Sequence, residues 1–262
     1  MSGERVFIAG AAGRIEIVID RPSGSVRGGI HRAARESIHR AARGSSHDAA
    51  RDSSHDAARD SSHDAARDSS HDAARDSSHD AARDSSHDAA RGVALIAHPH
   101  PLHGGTLDNK VVQTLAKTFV ELGYVSLRPS FRGVGASEGV HDEGRGETED
   151  MLRIAAYARE EFGDLPLVLA GFSVGAFVQT RVAKRLQAER TVLVGPAVGR
   201  FPTETVPADT LVIHGELDET VPLAAVFDWA RPQDLPIVVI PGADHFFHRR
   251  LHLIKSIVKH QW

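Results

Sequence analysis

The feature that most limits what this chain can fold into is a tandem octad. Read back from Arg91 in steps of eight, units ending Ala-Ala-Arg close at Arg83, Arg75, Arg67, Arg59, Arg51, Arg43 and Arg35, so residues 28–91 are eight octads. The first two, GGIHRAAR and ESIHRAAR, diverge, and the others converge on DSSHDAAR. Removing them joins SVR at 25–27 directly to GVALIAH at 92–98 and leaves 198 residues, a comfortable single domain. The octads hold no aromatic residue and, Ile30 and Ile38 apart, nothing apolar larger than Ala. Such a segment does not bury enough surface to offset the ordering of its chain, so it reads as an insertion and not as a second folded domain.

Two conformations remain open for it, a disordered chain and a solvated, fraying helix. Ala and Arg favour the helix, but Ser, His and Asp are poor formers, and Asp52 with Asp56 sets like charges at i,i+4. Eight residues turn through about 800°, leaving each Ala pair about 80° from the last, so no apolar face persists. The recurrent Ser-His-Asp run is not a row of hydrolytic triads, because side chains one and two apart diverge in helix and strand alike. Nor is it a built metal site: successive His residues would lie about 12 Å apart on a helix, whereas metal ligands sit within about 2.1 Å of a shared ion.

Composition sets the broad class. The chain has 262 residues, 41% apolar and 25% charged, with net charge −4. The repeats carry ten Arg against eleven Asp and one Glu, leaving 21 basic and 23 acidic residues elsewhere, so neither part shows the basic excess of a nucleic-acid binder. With no Cys, disulfides, thiolate metal sites and cysteine nucleophiles are excluded, and a cytoplasmic protein is expected. No segment approaches the roughly 18 apolar residues of a membrane span, so no membrane association is expected. Nothing in the sequence sets an oligomeric state.

Outside the repeats, strand and helix patterns alternate, which predicts a mainly parallel sheet flanked by helices. Strands are expected at 6–9, 15–19, 93–97, 125–128, 167–170, 191–194, 211–214 and 237–240, the first two forming a hairpin through 11–13. Helical periodicity fits 110–122, 147–161, 174–186, 223–230 and 249–259.

The chemistry-bearing stretch is LVLAGFSVGAFVQTRVA, residues 167–183, where an apolar strand runs straight into Gly-Phe-Ser-Val-Gly and then a helical pattern. This is the context of a nucleophile elbow, a sharp turn that lifts Ser173 toward substrate while Gly171 and Gly175 leave room for backbone. The Val174 amide, at the helix start, is then a candidate oxyanion donor. An acid and a base should follow in that order. Asp218 lies on the loop after the strand TLVIH, and His245 on the loop after IVVI; Glu216 and Glu219, and His248 and His252, are their rivals. His248 and His252 fit better on a basic C-terminal helix packed through Leu251, Ile254, Ile257 and Val258. A second oxyanion donor should come from HPHPLHGGTLDN at 98–109, where Pro99 and Pro101 have no N–H and the His100 amide is favoured over that of Leu102. The imidazoles of His98, His100 and His103 lack an acidic partner at ligand spacing, so structural hydrogen bonding is expected there and no metal. The Gly-rich stretch at 129–139 is expected to be a turn braced by Arg132.

With these residues in hand, the chain resembles the α/β-hydrolase superfamily, in particular its small, lidless bacterial serine hydrolases. HPHPLHGGTLDNKVV at 98–112, FRGVGASEG at 131–139, GFSVGA at 171–176 and HGELDETVP at 214–222 carry the likeness. It implies an α/β-hydrolase fold, here interrupted by the octads, with Ser173 as nucleophile, His245 as base and Asp218 as acid. It also implies no cofactor and a small acyl substrate attacked through an acyl-enzyme. Residues 195–209 are too short a connection for a cap domain, so an open site is expected. The competing readings are a catalytically silent scaffold of this fold, against which the intact triad set speaks, and an interaction protein acting through the His/Asp-rich repeats.

Overall fold

In a computed structural model, residues 3–24 and 90–262 are described, and the readings of the octads at 28–89 lie outside them. The described chain forms one eight-stranded sheet. Strands β1 (Glu4–Gly10) and β2 (Gly13–Asp20) make the antiparallel hairpin that the sequence predicts, closed where Gly10 pairs with Gly13. The rest are β3 (Gly92–Ala97), β4 (Tyr124–Pro129), β5 (Leu167–Phe172), β6 (Arg190–Val194), β7 (Leu211–Gly215) and β8 (Ile237–Ile240). Their spatial order is β1-β2-β4-β3-β5-β6-β7-β8, with β3 to β8 all parallel. Helices α1 (Lys110–Glu121), α2 (Arg145–Phe162), α3 (Val174–Ala183), α4 (Leu223–Ala230) and α5 (Leu251–His260) supply the crossovers and cover the faces.

Burial on both faces explains why the central strands are uninterrupted apolar runs. Side chains alternate across a strand, and β3 divides accordingly: Val93, Leu95 and Ala97 join Met151 and Ile154 of α2 and Phe177 and Val178 of α3. Ala94 and Ile96 join Val112, Leu115 and Phe119 of α1 and Ile254 and Val258 of α5 on the other face. A smaller cluster packs Val226 and Ala230 of α4 against Leu193 and Val212.

Element limits shift from the sequence expectation for local reasons. Helix α2 begins at Arg145, two residues early, because the Glu147 carboxylate reaches back to accept the Gly144 N–H at 2.9 Å and closes its first turn. Helix α5 begins at Leu251, two residues late, because Arg249 has φ 59°, outside the helical region. His248 therefore precedes that helix, bonded through Nδ1 to Asp244 Oδ2 at 2.6 Å, while His252 lies on it.

All the parallel strands point their C-terminal ends to one edge of the sheet, where an open α/β sheet builds its site. The end of β2 and the start of β3, between which the octads fall in the sequence, lie at the opposite edge. Strand β2 runs antiparallel to β4, so its end, Asp20, lies beside Ser126 near the start of β4, and Gly92 at the start of β3 lies beside Tyr124. The last two octad residues are already held by the domain: Ala90 packs on the core, the Arg91 N–H donates to Gly123 O at 2.8 Å, and its guanidinium lies over the Tyr124 ring.

Deleting 28–91 in register puts Arg27 in the place of Arg91. Lengthening a flexible connection from about 6 residues to about 70 costs only about 2 kcal/mol, so the shortened chain is expected to fold with an equal or slightly higher thermal midpoint. A scan of both chains checks this, and a large drop in the midpoint would make the octads part of the fold.

Candidate active site

Ser173 is the residue between β5 and α3, with φ 56° and ψ −117°. The strained turn is possible because of its glycines. A Cβ on Gly171 would meet the Gly175 carbonyl and the Ala176 nitrogen at 2.6 Å, and one on Gly175 would collide with the carbonyls of Ala97 and His98. The turn is held from below by the Ser173 N–H, which donates to Val194 O at 3.0 Å. Fully buried Gln179 adds a staple, its Nε2 donating to Leu95 O at 2.8 Å and Ala170 O at 3.0 Å and so tying α3 to β3 and β5.

Asp218 and His245 stand on the loops after β7 and β8, and those loops are joined: the Leu217 N–H donates to Ala243 O at 2.9 Å. One Asp218 oxygen, Oδ1, accepts the amides of Thr220 and Val221 at 2.9 and 2.8 Å, which fixes the carboxylate plane. The other, Oδ2, is 2.7 Å from His245 Nδ1, and His245 Nε2 is 3.0 Å from Ser173 Oγ. A carboxylate only accepts, so Nδ1 carries the proton toward Asp218 and Nε2 is left to accept from the serine hydroxyl. All three side chains are buried or nearly so. The rivals are directed elsewhere: Glu216 accepts the Gly242 amide at 2.8 Å, Glu219 is exposed, and His248 is paired with Asp244.

The structure also brings Val174 and His100 to the same cleft, about 320 Å³ in volume, as Ser173 and His245. Neither the Val174 nor the His100 amide makes a hydrogen bond among the described residues, whereas the Leu102 N–H is committed to His100 Nδ1 at 3.2 Å. Phe201 and Phe246 are the aromatic part of the cleft's apolar surface, and Arg200 carries its charge; among the described residues no Asp or Glu lines it.

His98 is not at the surface of the site but beneath it. Its Nδ1–H donates to Pro99 O at 2.7 Å and its Nε2 accepts the Phe131 N–H at 2.9 Å, so one imidazole joins the loop after β3 to the loop after β4. That second loop is the braced turn expected from the sequence: Arg132 grips Asp150 with two hydrogen bonds of 2.9 and 2.8 Å and also reaches Gly146 O. On its other side, buried Glu16 of β2 accepts from Ser130 Oγ and the Ala136 amide at 3.1 and 2.8 Å and pairs with Arg5. His214, fully buried on β7, donates through Nε2 to Val221 O at 2.9 Å, with Asp218 Oδ2 3.4 Å away. Burial lowers its affinity for a proton. Among the described residues no group of three or more His, Cys, Asp or Glu could hold a metal ion, and no helix is long and apolar enough to cross a membrane.

Sequence reasoning missed Glu16, His214, Arg200 and the two lining phenylalanines. Glu16 and His214 sit inside strand patterns where only the three-dimensional neighbour reveals a partner, and Arg200 lies on a loop with no periodicity.

A sheet of this order, a strained serine at the first crossover behind β5 and a Ser-His-Asp chain at its C-terminal edge define an α/β hydrolase. Comparison with known proteins agrees. The family described as serine aminopeptidase, S33, matches residues 100–210. An uncharacterized protein of Rickettsia prowazekii is 31% identical over 170 residues, 59% of this chain and 71% of that one. Lysophosphatidylserine lipase ABHD12 of Danio rerio is 29% identical over 150 residues, 56% of this chain but only 34% of that protein, so the chain spans about a third of its length. Among solved structures, an α/β serine hydrolase without lid from Xanthomonas campestris superposes with a TM-score of 0.71 at 27% identity, covering 100% of this chain and 94% of that one. An α/β serine hydrolase homologue from Coxiella burnetii gives 0.69 at 29%, covering 98% and 96%. The chain belongs to the α/β-hydrolase superfamily, among its serine hydrolases.

Burial of His98 pushes its pKa from 6.5 down to about 4. The unfolded chain therefore takes up a proton at this residue before the folded one does, so stability is complete above about pH 6.5 and falls as the pH drops toward 4. In a His98→Gln variant this loss is absent. Its stability deficit relative to wild type should shrink by about 2 kcal/mol between pH 7 and pH 4.5, measured by urea unfolding. A deficit independent of pH would mean that the His98 pKa is the same in the folded and unfolded chain.

Proposed function

We propose that the chain hydrolyses an ester-type bond, thioester and amide included, of a small acyl substrate, with Ser173 as nucleophile, His245 as general base and Asp218 as the acid that orients it. The observation that carries this is the unbroken hydrogen-bond chain from Asp218 through His245 to Ser173, at 2.7 and 3.0 Å. His245 takes the serine proton as Oγ attacks the carbonyl carbon, and Asp218 stabilises the imidazolium that forms. The amides of Val174 and His100 receive the oxyanion, for which their lack of other partners suits them. His245 then returns its proton to the leaving group, and water enters by the reverse sequence to release the acid and Ser173. No step calls for a metal or cofactor. The cysteine-free composition supports a cytoplasmic setting.

An aminopeptidase, as in the matched family's description, has to hold a free ammonium, for which a carboxylate is the natural partner. With no Asp or Glu lining the cleft among the described residues, an ester substrate is the better fit.

Two measurements test the reading. Ser173→Ala should abolish fluorophosphonate labelling and lower kcat for a 4-nitrophenyl ester by several orders of magnitude, and undiminished labelling would remove Ser173 from the mechanism. Asp218→Asn should lower kcat by about 10²–10⁴ because the imidazole loses the partner that fixes its tautomer, while Glu216→Gln should cost far less. The opposite ranking would move the acid to Glu216.

A further inference from the structure

We infer that the cleft selects esters bearing an anionic group, a carboxylate or phosphate, which Arg200 binds; this deepens, and rests on, the hydrolase reading above. Arg200 lines the cleft beside the catalytic serine and histidine, is exposed to solvent, and has no ion pair or hydrogen bond among the described residues. Its neighbours on the same edge of the sheet are differently placed: Arg132 is taken by Asp150 and Arg145 by Asp142. A guanidinium presents a planar fork of donors that matches a carboxylate or phosphate, and here it lines the cleft with no acidic partner among the described residues.

Three further observations point the same way. The segment bearing Arg200 is anchored, because Phe201 stacks on buried Phe177 with ring centroids 4.9 Å apart and Val198 pairs with Phe201 in a bridge. A side chain rising from an anchored base is ordered on binding at lower entropic cost than one on a loose loop. The wall beside it is also built of donors: the His100 and His103 rings lie 4.4 Å apart, and with Nδ1 of His100 accepting the Leu102 amide, its Nε2–H is left to donate. His100 holds its proton less tightly than usual, first through burial and then through His103, His141 and Arg200. Finally, the carboxylate whose charge reaches His100, Glu147, is fully buried, its oxygens occupied by His141 Nδ1 and the amides of Asp142 and Gly144. It is not available to pair with Arg200 or to repel an anion at close range.

The experiment compares kcat/KM for two matched pairs of esters on the full chain. Mono(4-nitrophenyl) glutarate against 4-nitrophenyl butyrate places the anion on the acyl side; 4-butyryloxybenzoate against its methyl ester places it on the alcohol side. At least one anionic ester should exceed its neutral partner by about tenfold, as expected of a charge-assisted hydrogen bond in a partly open cleft. Arg200→Gln should bring that ratio close to one, Arg200→Lys should keep part of it, and removal of an exposed charge away from the cleft by Lys117→Gln should leave it intact. Equal treatment of both pairs by the wild type, or a preference that survives Arg200→Gln, overturns the inference while leaving the hydrolase reading in place. If no ester is cleaved and Ser173 takes up no fluorophosphonate, the hydrolase reading itself fails and the inference with it.

Discussion

The backbone of Ser173 is where the structure is under most demand. A non-glycine residue at φ 56° and ψ −117° is held in a region that costs about 1–3 kcal/mol, and it persists only where the surroundings over-determine it. Those surroundings are extensive. Gly171 is paired on both sides within the sheet, to Ala97 of β3 and Leu193 of β6, and the Ser173 amide and carbonyl are held from the chain around β6 by Val194 and Ala197. The Gln179 amide crosses the sheet to bind the two strands that flank the turn. Because the serine cannot relax without disturbing three adjacent strands, its hydroxyl is aimed before any substrate arrives.

Asp218 and His245 are positioned by a second kind of constraint, the neutrality of buried imidazoles. His98 and His214 are both removed from water, and each uses its ring as a linker and not as a charge, His98 between two loops and His214 between β7 and the loop after it. A charged imidazole behind Asp218 would compete with His245 for the carboxylate; kept neutral, His214 donates to Val221 O instead and leaves Oδ2 for His245. The loop after β4 is gripped in the same way from several sides, by Arg132 on Asp150, by Glu16 from the neighbouring strand and by His98 from below. Rigid elements thus hold a site that is made almost wholly of loops.

Much of this was legible in the chain. All eight strands and five helices follow from the alternation of apolar runs with helical periodicity, because burial on both faces of a parallel sheet writes itself into uninterrupted Val, Leu and Ile. Ser173, Asp218 and His245 could be named because each follows a strand of that kind, and the structure brings them into one hydrogen-bonded line. What escaped was everything that depends on a neighbour distant in sequence: Glu16 and His214, each inside a strand pattern, and Arg200 with Phe201 in an unpatterned connection. Helix limits slipped where a single residue overrides periodicity, Glu147 by capping and Arg249 by its backbone. The octads were legible only as a negative, in the absence of any apolar face.

The connection between β6 and β7, residues 195–210, holds no helix and only one isolated bridge. Among the described residues nothing there closes over the cleft, and that bears on which reaction wins. In an enzyme with a closing lid, bulk water is shut out while the covalent intermediate waits, and another alcohol or amine brought under the lid can intercept it. In an open cleft, the acyl-enzyme of the proposed mechanism would meet solvent at full concentration from the moment it formed. An acyl group carried on Ser173 would therefore be lost to water before a scarce second acceptor could reach it, and rate enhancement has to come from donors fixed in advance and not from dehydration. Under the proposed mechanism, the shortness of that one loop would bias the site toward hydrolysis and away from acyl transfer.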